Sequence, residues 1–128
     1  MASANLDRIK EMLDEGNLQG ARLELLNLVD QGQETEGIWL LLAGIGMRTG
    51  DAVLSLRAYR SLERTRPLDP YVASGIVESL MRLEQYEEAR DVIEVFARTT
   101  RSQSDFTRAV LDHNQEVLEI IEEKLGRR

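Results

Sequence analysis

Apolar side chains recur along this chain at spacings of three and four residues, the pattern of an amphipathic α-helix. No stretch shows the strict alternation of apolar and polar residues that is typical of a half-buried strand. Glycine, proline, asparagine and aspartate interrupt the pattern, and these residues favour turns and helix ends. We therefore predict an all-α protein, with Asn5 as the first N-cap and Pro70 opening the fifth helix. The predicted helices cover about 5–15, 18–29, 36–49, 52–65, 70–83, 86–99 and 105–125.

The same residue types return every 34 positions, without an insertion in either interval. Gly16 recurs as Gly50, and this slot predicts a turn between two helices at Gly16, Gly50 and Glu84. Apolar slots recur in the same way: Leu13, Met47 and Met81; Leu25, Tyr59 and Ile93; Leu28, Leu62 and Phe96; and the small residues Ala21, Ser55 and Ala89. A fixed period of this length indicates repeated helix pairs that stack on one another. We predict one domain over residues 1–128, with repeats at about 2–35, 36–69 and 70–103.

The seventh helix, at about 105–125, is predicted to cover the apolar end of the third repeat, as stacked repeats require for solubility. Its predicted buried stripe consists of Phe106, Val110, Val117, Ile121 and Leu125, widened by Leu118 and Ile120.

The middle unit carries the most specific residues. It has Trp39, Leu42 and Ala43 in its first helix, Gly50 at the turn, Tyr59 in its second helix and Pro67 at its end. This combination resembles the tetratricopeptide repeat (TPR) family, and the third unit is similar through Tyr86, Ala89 and Phe96. The first unit departs from the pattern at Asn5, Arg8 and Gln33, as terminal repeats often do. The resemblance implies a right-handed α-solenoid of three helix pairs with a C-terminal capping helix.

The resemblance also implies that the first helix of each pair lines a concave surface that binds another protein. We call the residues it assigns to this surface the predicted groove: Leu13, Leu40, Gly44, Met47, Arg48, Tyr71, Ser74, Glu78, Met81 and Arg82. Methionine adapts its shape to different partners, so an apolar stripe through Met47 and Met81 suits an amphipathic helix or an extended apolar peptide. The alternative is that these residues pack against the capping helix or a second copy of the chain.

Composition narrows the function further. The 16 Lys and Arg against 23 Asp and Glu give a net charge of −7, which argues against a nucleic-acid partner. No apolar run is long enough to enter a membrane, and neither a signal peptide nor a cysteine is present, so we expect a cytoplasmic protein. Trp39 is expected in the core and His113 in a packing or surface role. No residue set suggests a cofactor, a metal site or an enzyme.

Two functions fit these expectations. The first is a small adaptor, or a chaperone of the type that serves bacterial secretion systems, which sheathes an apolar client. The second is a scaffold subunit of a permanent complex, including a self-associating homodimer.

Overall fold

Every regular element within residues 2–126 is an α-helix in the computed structural model, which describes those residues and the side chains of 6–126. The all-α prediction is therefore confirmed for this part of the chain. The helices are α1 Ala2–Asp14, α2 Leu18–Asp30, α3 Glu36–Thr49, α4 Ala52–Glu63, α5 Pro70–Arg82, α6 Tyr86–Thr99 and α7 Asp105–Lys124.

The helix starts follow the sequence period. The starts of α1, α3 and α5 are 34 residues apart, and so are those of α2, α4 and α6. The short turn inside each pair is also the same: Gly16, Gly50 and Glu84 all have positive φ, at 79°, 76° and 58°. After each of them the next amide donates to a carbonyl five residues back, at 2.8–2.9 Å. This is the Schellman arrangement, and it places the turns where the sequence predicts them.

Side-chain caps explain where most of the later helices begin. Asp51 accepts from the amide of Leu54, and Asp69 accepts from those of Tyr71 and Val72. Pro70 occupies the first turn of α5, as predicted. Asn17, Thr35 and Ser104 cap α2, α3 and α7 in the same way.

The first helix begins earlier than predicted. Because α1 starts at Ala2, Asn5 lies inside the helix and the prediction that it is the N-cap is wrong. Ala2 to Ala4 contain no proline or glycine to stop the helix, so it extends through them. The side chain of Asn5 lies outside the described residues.

Each helix packs against the next one along the chain, and α5 also packs against α7. One apolar cluster draws buried residues from all seven helices, among them Ile9, Leu25, Leu42, Ile76 and Ile121. A smaller cluster at the C-terminal end joins Ala73, Phe96 and Val110. Trp39 is buried, as expected, and its Nε1 donates to Glu34 at 3.1 Å.

The buried face of α7 differs from the predicted stripe. It is formed by Thr107, Val110, Asn114, Val117 and Ile121. Phe106 and Ile120, which were expected to be buried, are 52% and 45% exposed. The reason is geometric, since a neighbouring residue lies about 100° around the helix and α7 turns the adjacent positions toward α5 and α6.

Candidate functional site

Four residues of the predicted groove lie on α3. Leu40 and Met47 are half-buried and pack against the main core, and Arg48 is exposed. Gly44 is partly exposed, and a Cβ added there would meet nothing within 4 Å. Gly44 is therefore not required for helix packing, and the space next to its Cα is open.

Five more residues of the predicted groove lie on α5. Ser74 and Met81 are half-buried, while Glu78 and Arg82 are exposed and form an ion pair at 3.1 Å. Tyr71 is 41% exposed, and its ring meets the ring of Tyr59 edge-on at a centroid distance of 5.7 Å. Burial raises the pKa of Tyr59 well above its ordinary value, and the hydrogen bond between its hydroxyl and that of Tyr71 raises it further. Tyr59 therefore stays neutral at physiological pH.

One polar contact joins the α3 and α5 parts of the predicted groove. Arg82 reaches from α5 to the carbonyl of Met47 on α3, at 3.5 Å. Arg82 thus holds two groove partners, Glu78 and Met47, whereas Arg48 projects into solvent. Leu13, on α1, is half-buried against the main core, and α1 packs chiefly on α2. Met47 and Met81 pack against the same core cluster as Leu13.

A concavity that the sequence did not predict lies elsewhere, between α4, α6 and the start of α5. We call it the α4–α6 cavity, and its volume is about 320 Å³. Its apolar walls are formed by Leu68, Val72, Ala73, Val92, Val95 and Phe96. Charged residues complete the lining: Arg60, Glu63, Asp69, Glu88 and Asp91.

The charges at the α4–α6 cavity are unbalanced. Arg60 lies 2.6 Å from Glu88 and 3.5 Å from Glu63, so one guanidinium serves two carboxylates. Asp69 is occupied with the first amides of α5, and Asp91 is exposed. Four carboxylates against one arginine leave a net charge of −3 around an apolar interior.

Two apolar side chains at the α4–α6 cavity break the repeat pattern. Leu68 stands where the preceding unit has Glu34, and Val95 stands where it has Ser61. These side chains are 47% and 45% exposed. Their departure from polar slots is the sequence signal that could have located the cavity.

Other candidate chemistry is sparse in the described part of the chain. His113 is exposed on α7 and lies 3.4 Å from Glu116. Across the described residues, no group of three or more His, Asp or Glu side chains is arranged to hold a metal ion. None of the helices within that part is long and apolar enough to cross a membrane.

A comparison of the sequence with models of known protein families finds no match, and a comparison with curated proteins finds none.

Proposed function

We propose that the protein is a TPR-like interaction module, a small adaptor or secretion-type chaperone, whose predicted groove binds an amphipathic helix or extended apolar segment of another protein. One observation supports this most directly. Leu40, Met47 and Met81 are anchored in the core but remain partly exposed. An apolar surface that is fixed in this way needs no rearrangement before it binds.

The chemistry of the predicted groove suits a client with an apolar face and an acidic edge. Methionine side chains repack around different apolar shapes, and the open space at Gly44 lets a client side chain approach the helix closely. Burial of apolar surface supplies the affinity. Arg48, which is exposed, is placed to meet a client carboxylate and so to set its orientation.

The test begins with co-purification from the native cell and mass spectrometry of the bound protein, followed by calorimetric titration with the purified client. Replacing both Met47 and Met81 with Glu is expected to abolish binding, because two carboxylates would enter the apolar contact. Val53→Glu is the matched control, since Val53 is 67% exposed on α4 and lies outside the predicted groove. Circular dichroism checks that both variants keep their helices.

Arg48→Ala provides a second arm of the same test. We expect severalfold weaker binding and a smaller dependence on salt concentration, because screening acts on exposed charge pairs. Wild-type affinity in the double methionine variant would move the interface away from the predicted groove.

A further inference from the structure

We propose that the α4–α6 cavity is a second binding site, which takes a bulky apolar side chain flanked by lysine or arginine on a partner protein. This occupant differs from the proposed client of the predicted groove, which is acidic at its edge. The two proposals can therefore be tested independently of each other.

The size and lining of the cavity favour an apolar anchor. About 320 Å³ is at the lower end of the range of ligand pockets, so it suits one or two side chains better than a large cofactor. Phe96 and Val72 are buried walls held by the rest of the fold, and Val92 is half-buried beside them. An apolar partner side chain that enters the cavity would therefore move from water onto an apolar surface that is already formed.

The charged lining determines which sign of charge the partner should carry. Its net charge of −3 favours cations, and Arg60 cannot neutralise the remaining carboxylates because Glu63 and Glu88 already share it. Asp91 is exposed at this edge and has room to pair with a lysine or arginine. An acidic segment would be repelled here.

Backbone geometry at the rim adds an independent observation. Leu68 has φ of 64°, in the left-handed region that a branched apolar residue rarely adopts. The strained conformation holds a half-exposed leucine at the cavity, although the loop would be more stable with glycine. Strain of this kind concentrates at sites that bind.

The cavity and the predicted groove occupy opposite sides of α5. Successive residues lie about 100° apart around a helix, so Val72 lies roughly 120–180° around α5 from Ser74, Glu78 and Met81. Val72 is buried toward the cavity, and Glu78 is exposed on the other side. A ligand at one surface therefore leaves the other accessible.

The test uses the full ¹⁵N-labelled chain and the tripeptide acetyl-Lys-Phe-Lys-amide as the probe. We expect saturable amide shifts at Val72, Val92 and Val95, with weaker binding as salt is raised. Acetyl-Glu-Phe-Glu-amide and acetyl-Lys-Gly-Lys-amide are matched controls, which lack the cationic flanks and the apolar anchor respectively. Neither should produce these shifts at the same concentration.

Two variants then locate the site. Asp91→Lys should lower the affinity for the Lys-Phe-Lys probe by about tenfold, as expected for reversing a charge next to a bound cation. Asp7→Lys makes the same charge change at an exposed position on α1 and should leave binding unchanged. Leu68→Gly should raise the melting temperature and lower the affinity for the probe. A variant that lost binding because it was destabilised would instead have a lower melting temperature.

Three results would overturn the proposal. They are no saturable shift with the Lys-Phe-Lys probe, equal binding of the Lys-Gly-Lys peptide, and equal binding to the wild type and Asp91→Lys. None of these results would affect the proposal for the predicted groove, whose test uses another ligand and other residues.

Discussion

The centre of the molecule and its C-terminal end are joined in different ways. From α3 to α5 the helices approach so closely that glycine is required. A Cβ on Gly46 would lie 2.7 Å from the backbone nitrogen of Ser55, and one on Gly75 would lie 2.4 Å from the ring of Tyr59. The buried hydroxyl oxygens of Ser55 and Ser79 are only 2.7 Å apart, so one hydroxyl donates to the other, and the accepting hydroxyl donates to a carbonyl of its own helix.

At the C-terminal end the helices meet through larger side chains. Phe96 and Val110 meet in the small cluster, and the α4–α6 cavity opens beside them. Thr107 is buried but fully bonded to Ser102 and Ser104, whereas Asn114 is 2% exposed and its Nδ2 has no hydrogen-bond partner within residues 6–126. Close backbone contact therefore fixes one arrangement at the centre, while the looser end keeps space and an unpaired polar group.

The largest expected effect comes from breaking the tight centre. Gly75→Ala places a methyl group against the buried ring of Tyr59, so the ring or α5 must move. We expect the free energy of unfolding to fall by about 2–3 kcal/mol, the usual result of overpacking a core. Denaturant titration followed by far-ultraviolet circular dichroism measures it.

Gly44→Ala is the matched control for this prediction. Gly44 is also inside a helix, but an added Cβ meets nothing within 4 Å. Here the variant should be more stable by about 0.5–1 kcal/mol, because alanine restricts the unfolded chain and favours the helix. If the two variants behave alike, the close approach of α4 and α5 does not constrain the fold.

A second change tests the looser end. Asn114→Leu removes a buried amide that lacks a partner and replaces it with an apolar side chain of similar size. We expect stabilisation by about 1–2 kcal/mol, since an unsatisfied buried donor carries a penalty of that order. The exposed neighbour Gln115→Leu controls for added apolarity on α7 and should change stability little. Destabilisation by Asn114→Leu would contradict the account of a looser end.

The smallest effect is expected at the turn that connects α5 to α6. Glu84 has φ of 58° in the slot that Gly16 and Gly50 occupy in the other pairs. Glu84→Gly should stabilise the protein by about 0.5–1 kcal/mol, because glycine adopts this conformation without a Cβ clash. The reverse change, Gly50→Glu, should destabilise by a similar amount. Thermal unfolding of both variants checks the symmetry.

The sequence was sufficient to predict the helices because local signals agree with the packing. Gly50 and Asp51 both mark the turn before α4, and the buried slots Ala21, Leu25 and Leu28 face inward as the spacing indicates. The signals failed where tertiary contact decides. The buried face of α7 keeps Val110, Val117 and Ile121 of the predicted stripe. It takes the polar residues Thr107 and Asn114 in place of Phe106 and Ile120.

The candidate sites were less predictable for the same reason. The exposure of Arg48 and the pairing of Arg82 with Glu78 depend on side-chain positions that repeat spacing does not specify. The α4–α6 cavity is formed by residues from two helices, a loop and the start of a third helix, and no local pattern spans them. Only the misplaced hydrophobic residues Leu68 and Val95 hint at it.

The positions of the chromophores allow the unfolding of the centre and of the C-terminal end to be followed separately by spectroscopy. Trp39 is the single tryptophan, and with the three tyrosines, Tyr59, Tyr71 and Tyr86, it lies between α3 and α6. Trp39 is buried, and the guanidinium carbon of Arg57 lies 5.3 Å from the centre of its ring. Fluorescence excited selectively at Trp39 therefore reports the state of the centre rather than that of α7. Circular dichroism reports on all the helices. A difference between the melting curves from fluorescence and from dichroism would therefore show how far α7 unfolds before the centre does.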